Sequence, residues 1–372
     1  MCKKKRIALL GATGSIGKSS IDIILRDKER FEVVLLTARS NSEALNKISN
    51  QFPGAACVLA ENNESGLLKS IAEAKPDITI NGVSGAAGLL PSVAAINSGS
   101  DLALANKETI VMAGNLVMKL AKEKNVNIIP VDSEHSAIFH LLKAFSREEK
   151  NKNSVNEIIL TASGGPFRNY NLKELENAAL QDALSHPTWN MGAKITIDSA
   201  SMANKGLEII EACKLFNISH DKIKVVIHPQ SIVHSMIRLS SGVIYAQLSK
   251  PDMRHPVHDA LYWPEISPVS LDELDFDSLY LQFSKPDLIK FPMLSLAREA
   301  AAKGSLFTCA YNAANEVAVS AFLERKIKFT EIPVITAEVL KSDWNGDEMN
   351  LEAILNADFE ARQKAMTYMK KN

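Results

Sequence analysis

Short apolar runs alternate with helical patterns through the first third of the chain. Residues 7–10, 31–37, 56–60, 77–80, 101–105 and 127–131 read as strands. Between them Leu45, Ile48 and Phe52 recur at helical spacing, as do Leu67, Leu68 and Ile71. Such alternation predicts an α/β fold: a Rossmann-like, doubly wound parallel sheet covered on both faces. From about residue 150 the rhythm changes. Residues 157–162, 194–198, 224–228, 233–239 and 243–248 are strand-like, and polar, glycine-bearing stretches separate them. The last two flank Ser240-Ser241-Gly242, a hairpin turn by composition. A central α/β domain on its own sheet follows from this pattern. Residues 264–292 carry Pro264, Pro268, Pro286 and Pro292 among several acids and read as a connecting segment. Beyond it, residues 294–302, 312–322, 332–340 and 351–369 predict a small helical bundle. The expected domains are therefore 1–150, 151–263 and 293–372, with 264–292 between the last two.

Composition narrows the field. Hydrophobic residues make up 46% of the 372 and charged ones 23%, which fits folded domains rather than disorder. A net charge of −1 lacks the basic footprint of a nucleic-acid binder. Cys2, Cys57, Cys213 and Cys309 lie far apart without a CxxC pair, so neither a disulfide framework nor a zinc site is expected. The basic start Met1 to Arg6 leads into an apolar stretch, Ile7 to Leu10, that is too short for a signal peptide. No apolar run approaches the ~20 residues of a membrane span, and a cytoplasmic protein is expected.

Gly11-Ala12-Thr13-Gly14-Ser15-Ile16-Gly17 follows the first strand and opens a helix. Glycines there permit a tight turn and close approach of a pyrophosphate to the helix N-terminus. The second strand ends Thr37-Ala38-Arg39-Ser40-Asn41, without the acid that would hold a ribose hydroxyl in an NAD site. Arg39 and Ser40 suit a 2′-phosphate instead, favouring NADPH.

Val131-Asp132-Ser133-Glu134-His135 leaves the last strand of the first domain, where open α/β sheets bind ligands. Asp132 and Glu134 either grip a hard cation or cap and charge the helix that follows. Further on, Asn204, Lys205 and Glu208 share one helix face; with Ser199 they suit a phosphate and a third metal carboxylate. Thr161-Ala162-Ser163-Gly164-Gly165 offers a hydroxyl and backbone N–H groups, an anion nest. The 183–192 stretch sets Trp189 among loop-forming residues and reads as a lid over substrate.

The motifs GATGSIG, LANKE, VDSEH, LTASGGPFR, HPTWNMG, DSASMANKGLE, HPQSIVHS, KPDM and YNAANEVAV resemble, in this order and over essentially the whole chain, those of the 1-deoxy-D-xylulose 5-phosphate reductoisomerase family. The resemblance implies an NADPH-binding domain, a central catalytic domain and a C-terminal helical domain. It implies a metal site of Asp132, Glu134 and Glu208 holding Mg²⁺, Mn²⁺ or Co²⁺. Ser133, Ser163, His186, Trp189, Ser199, Asn204, Lys205 and Glu208 would surround the sugar phosphate, with Lys205, His186, His234 and Glu134 as catalytic residues. The cofactor would lie on Thr13, Gly14, Ser15, Ile16, Arg39, Ser40, Asn41, Asn106, Lys107, Glu108, Met191 and Gly192. A homodimer is also implied. The family often reads Ala-Gly-x-Asn where this chain has Ala38-Arg39-Ser40-Asn41, which bears on cofactor affinity. A semialdehyde-type dehydrogenase, which shares a similar glycine start, would need a nucleophilic cysteine; Cys213 sits in a helix-like stretch with no base nearby in sequence.

Overall fold

The computed structural model describes residues 3–145, 154–267 and 271–371; Met1, Cys2, the boundary expected at residue 150 and Pro268 lie outside them. The first strands and helices follow the predicted alternation: β1 (Lys5–Leu10), α1 (Ser15–Arg26), β2 (Phe31–Ala38), α2 (Ser42–Ser49), β3 (Ala56–Leu59) and α3 (Glu64–Ala74). They continue through β4 (Ile78–Asn81), α4 (Leu89–Asn97), β5 (Asp101–Leu104), α5 (Lys107–Lys124), β6 (Ile128–Pro130) and α6 (Ser133–Phe145). The six strands form one sheet of order β3-β2-β1-β4-β5-β6, every pair parallel. This is the doubly wound order whose direction reverses beside β1, where the glycine turn emerges. Ile7, Leu9, Leu35, Leu36, Ile80 and Leu102 are fully buried. Each contributes about 1.5–3 kcal/mol of transfer free energy. Ile21 and Ile24 of α1 are buried, as are Leu67 and Ile71 of α3 on the face their spacing predicted.

The second sheet contains β7 (Val155–Ala162), β8 (Ile223–Ile227), β9 (Val233–Leu239) and β10 (Ile244–Leu248) in the order β10-β9-β7-β8. Only β7 and β8 run parallel; the other pairs are antiparallel. The β9–β10 hairpin turns at Gly242, whose φ of +89° suits glycine. Among the described residues, five α-helices fall between the start of β7 and residue 263: α7 (Leu172–Glu176), α8 (Leu180–Ala183), α9 (Ala193–Ala200), α10 (Ala203–Phe216) and α11 (Arg254–Tyr262). The C-terminal helices are α12 (Pro292–Lys303), α13 (Phe307–Leu323), α14 (Glu331–Leu340) and α15 (Leu351–Lys371). Alanines 310, 313, 314, 318 and 321 of α13 are buried, which lets α14 and α15 pack closely on it.

One predicted strand is a helix. Residues 194–198 alternate, with β-branched Ile195, Thr196 and Ile197 at their centre, yet they lie inside α9. Five residues of alternation cannot separate the two periods. Here the helix is held by the Thr196 hydroxyl donating to Gly192 O (2.9 Å), by a Lys194–Asp198 ion pair one turn apart (3.0 Å), and by burial of Thr196, Ile197 and Asp198. Tertiary packing outweighs strand propensity. Trp189 accordingly lies between two helices, α8 and α9, and not between two strands.

The chain divides into two compact units that cut it elsewhere than at 150 and 263. Unit 1 comprises Met1–Thr109, Val117–Ser136 and Asp252–Glu273; unit 2 comprises Ile110–Leu116, Ala137–Pro251 and Leu274–Asn372. Helix α11, expected centrally, thus belongs with the first sheet. It packs on α1, and Tyr262 donates to Asp27 Oδ2 (2.7 Å) while Lys5 Nζ donates to Leu261 O and Trp263 O (2.9 and 3.1 Å). The C-terminal helices belong to unit 2, where α12 packs on α10.

Candidate active site

In unit 1 the glycine turn is shaped by sterics. Gly11 has φ +81°, and a Cβ on Gly17 would stand 2.3 Å from Ala12 O. The turn hangs on β2: Ala12 N donates to Thr37 O (2.8 Å) and Gly11 N to Thr37 Oγ1 (3.2 Å). Gly14 and Ser15 are exposed at the start of α1, where the helix N-terminus favours an anion. Arg39 and Ser40 are exposed at the end of β2. Asn41 caps α2 by accepting from Ala44 N (2.9 Å).

Asn106, also expected at the cofactor, is 2% exposed and clamps the backbone. Its amide nitrogen donates to Val83 O and Gly85 O (2.7 and 2.9 Å), and its oxygen accepts from Thr109 N (2.9 Å). Lys107, buried beside it, turns to Asp132, with Nζ 2.6 Å from Oδ2. Asp132 Oδ1 accepts from Glu134 N (3.2 Å) and meets His135 Nδ1 (3.2 Å). The helix-cap reading of Asp132 is therefore present, and it leaves the carboxylate beside a buried ammonium. Ser133 Oγ donates to Glu134 Oε2 at 2.6 Å. His135, fully buried, has no role in the sequence reading although it stands in the VDSEH motif.

Unit 2 gathers the other expected residues. Gly164 and Gly165 have φ of +82° and +67°, and a Cβ on Gly165 would stand 2.7 Å from Ser199 O, so the glycine pair lies directly on the end of α9. His186 Nε2 lies 3.0 Å from Ser163 Oγ and 3.1 Å from Ser199 Oγ. Burial first, and the nearby Arg168 guanidinium second, push the His186 pKa down to about 4. On α10, Asn204 Nδ2 donates to Glu208 Oε1 (2.6 Å), and Lys205 pairs with the same carboxylate. Glu208 is 0% exposed, and a carboxylate so placed needs such partners to stay charged. His234 on β9 shares a hydrogen bond with Ser249 Oγ (2.8 Å), and the half-buried Trp189 ring is centred 6.5 Å from it. Met191 is half-buried and Gly192 exposed at the end of the same loop.

His228 is structural: Nε2 accepts from Ile232 N and Val233 N, and Nδ1 bonds Gln282 O. Two further groups escaped the sequence reading. Asp198, 1% exposed, accepts from Asn315 Nδ2 on α13 (2.7 Å) and anchors the segment that carries Ser199. Arg168 bears on His186. The available signal for Asp198 was a lone acid between Ile197 and a serine-rich turn. For Cys213, burial raises the thiol to about 11, the opposite direction from the lowered pKa of an activated nucleophile.

A parallel sheet with a glycine turn at its reversal point, joined to a second unit that collects serines, a histidine, a lysine and a buried carboxylate, defines a dinucleotide-dependent α/β enzyme. The model of 1-deoxy-D-xylulose 5-phosphate reductoisomerase matches residues 7–73 and 56–114, that of its C-terminal domain residues 128–216, and that of the DXP reductoisomerase C-terminal domain residues 248–364. The chain belongs to the 1-deoxy-D-xylulose 5-phosphate reductoisomerase family. It is 47% identical over 373 residues to the reductoisomerase of Treponema denticola, covering 98% of this chain and 96% of that one. The solved reductoisomerase of Zymomonas mobilis in complex with NADPH is similar over 100% of both chains, with 37% identity and a TM-score of 0.87. A DOX-P reductoisomerase in complex with NADPH, fosmidomycin and magnesium is similar over 98% of both, again with 37% identity and a TM-score of 0.87. No helix among the described residues is long and apolar enough to cross a membrane.

Proposed function

We propose that this chain converts 1-deoxy-D-xylulose 5-phosphate to 2-C-methyl-D-erythritol 4-phosphate with NADPH and one divalent cation. The observation that carries the reading is likeness along the whole length to reductoisomerases solved with NADPH and with magnesium.

The residues present fit both groups. Gly17 leaves no room for a side chain under the turn, and Gly14 and Ser15 offer exposed backbone to a pyrophosphate. Asp132, Glu134 and Glu208 are an all-oxygen donor set, the chemistry a hard cation takes. When bound, the cation supplies Lewis acidity to the substrate's oxygens and NADPH supplies the reducing equivalents. In this reading Lys107 places a positive charge beside Asp132, and Lys205 with Asn204 orients the carboxylate of Glu208. Ser163, Ser199, Asn204 and Lys205 hold the phosphate and Ser133 the sugar, while Trp189 and Met191 exclude water. Arg39 and Ser40 meet the 2′-phosphate of the cofactor. His234 lines the sugar pocket as an acid–base candidate.

The deciding assay is loss of NADPH absorbance with the xylulose phosphate, run with and without chelator. Consumption that stops on chelation and returns with Mg²⁺ or Mn²⁺ is expected; no consumption, or consumption indifferent to chelator, rejects the reading. A homodimer is part of the same proposal. β10 ends its sheet, and Ile244 and Tyr245 on it are 42% and 41% exposed, an edge suited to a second copy. Sedimentation equilibrium tests it.

A further inference from the structure

His186 stands where two structures meet, and its hydrogen bonds fix its protonation. The backbone N–H groups of Thr188 and Trp189 reach Nδ1 at 3.1 and 2.9 Å. Backbone amides only donate, so Nδ1 must present its lone pair. A neutral imidazole with a bare Nδ1 carries its proton on Nε2. That proton points at the Ser163 and Ser199 hydroxyl oxygens, 3.0 and 3.1 Å away. Ser163 Oγ also accepts from Gly165 N at 3.2 Å. With its oxygen facing donors, the Ser163 hydroxyl must turn its own proton away from the ring, and the same holds for Ser199.

We infer that His186 is a positioning residue, held as the neutral Nε2–H imidazole: one nitrogen latches the Thr188–Trp189 backbone, and the other aims the Ser163 and Ser199 hydroxyl protons outward. That they are aimed at the substrate's phosphate rests on the function proposed above. An imidazolium would lose both bonds at Nδ1, so the ring cannot take up a proton without releasing the loop. Burial and the neighbouring Arg168 guanidinium oppose protonation in the same sense. His186 then does not act as acid or base. It ties the order of the Trp189 loop to the readiness of the anion nest through a single ring.

The inference is tested on the full chain labelled with ¹⁵N-histidine, with the His186→Gln spectrum used to assign the ring. A bare Nδ1 and protonated Nε2, unchanged as pH falls from about 8 to about 5.5, are expected. A proton on Nδ1, or titration with the ordinary midpoint of about 6.5, overturns the inference. Two half-replacements separate the two jobs. His186→Asn retains an acceptor near Nδ1 and removes the donor to the serines. It should raise KM for the sugar phosphate, and weaken inhibition by inorganic phosphate, by roughly ten-fold, with kcat little changed. His186→Gln retains a donor near Nε2 and releases the loop; it should lower kcat roughly ten-fold and leave KM within about three-fold. Equal effects of both replacements on KM and kcat would sink the division of labour. If the wild type does not turn over the sugar phosphate, the proposed function fails, while the nitrogen spectrum and inorganic-phosphate binding still decide the state of His186.

Discussion

At the scale of single residues, the informative cases are charges that the fold has hidden. Asp132 and Glu208 both have a buried lysine partner, which offsets part of the cost of burying each carboxylate. Glu134, half-buried and accepting from the Ser133 hydroxyl, is the proposed ligand to test first. Glu134→Gln is expected to lower turnover roughly 100-fold or more, with NADPH affinity by fluorescence titration within about two-fold of wild type. Near-normal turnover in metal-limited buffer would remove Glu134 from the metal site. Arg39, exposed at the end of β2, should matter to one cofactor only. Arg39→Ala is expected to cut the preference for NADPH over NADH by roughly ten-fold, because a charge-assisted contact is lost. Side-by-side titrations with an unchanged ratio would transfer that role to Ser40. The motifs single these residues out, but a motif does not say what a side chain bonds. Asn41 also caps a helix, and Asn106 also clamps the turn before α4, bonds that the motifs do not announce. Their hydrogen-bond partners lie in backbone that no sequence pattern displays.

At the scale of elements, the first sheet was legible strand by strand, because buried parallel strands read as apolar runs bounded by turns. α9 was not, since its five alternating residues fit either period and its helix depends on Asp198 finding Asn315 from α13, more than a hundred residues later. That contact predicts a measurable cost. Asn315→Ala leaves Asp198 Oδ1 buried without its donor and should lower stability by about 1–3 kcal/mol, read as a fall of several degrees in Tm. An unchanged Tm would show that Lys194 alone compensates Asp198. The Trp189 loop between α8 and α9 behaves differently. Trp189 is half-buried, so Trp189→Ala should cost less than the ~3–5 kcal/mol of a core aromatic while slowing turnover. Its signal is best isolated by subtracting a Trp189→Phe spectrum, because Trp344 is buried and donates to Val339 O, so removing it would disturb the bundle. A fluorescence change on adding a hydroxamate-bearing phosphonate, cancelled by chelator, is the expected lid signature.

At the scale of the molecule, pH acts through groups whose folded pKa values lie below their unfolded ones. Burial lowers His186, to about 4, and lowers His228 and His255 as well. Below about 6.5 the unfolded chain therefore takes up protons that the folded chain refuses, and stability falls as pH drops through that window. Glu157 and Asp252 are held low by Lys224 and Arg238 and by Arg254, against the burial that opposes them, so their contribution is lost only in more acid solution. The Tm should be flat above about pH 7 and begin to fall below about 6.5. A profile that stays flat to about pH 4.5 would remove the histidines from the account.

The return of residues Asp252–Glu273 to the first sheet carries a consequence for how the protein is made. Lys5, Asp22 and Asp27 have partners on Arg254, Leu261 and Tyr262, some 230 to 260 residues downstream. A ribosome must therefore release most of unit 2 before unit 1 can close its outer layer. Until then the face of α1 that receives α11 stays open on the nascent chain, a natural landing place for a chaperone. Cutting the gene at residue 251 would leave that face bare permanently, and the fragment is expected to aggregate rather than fold as a portable piece.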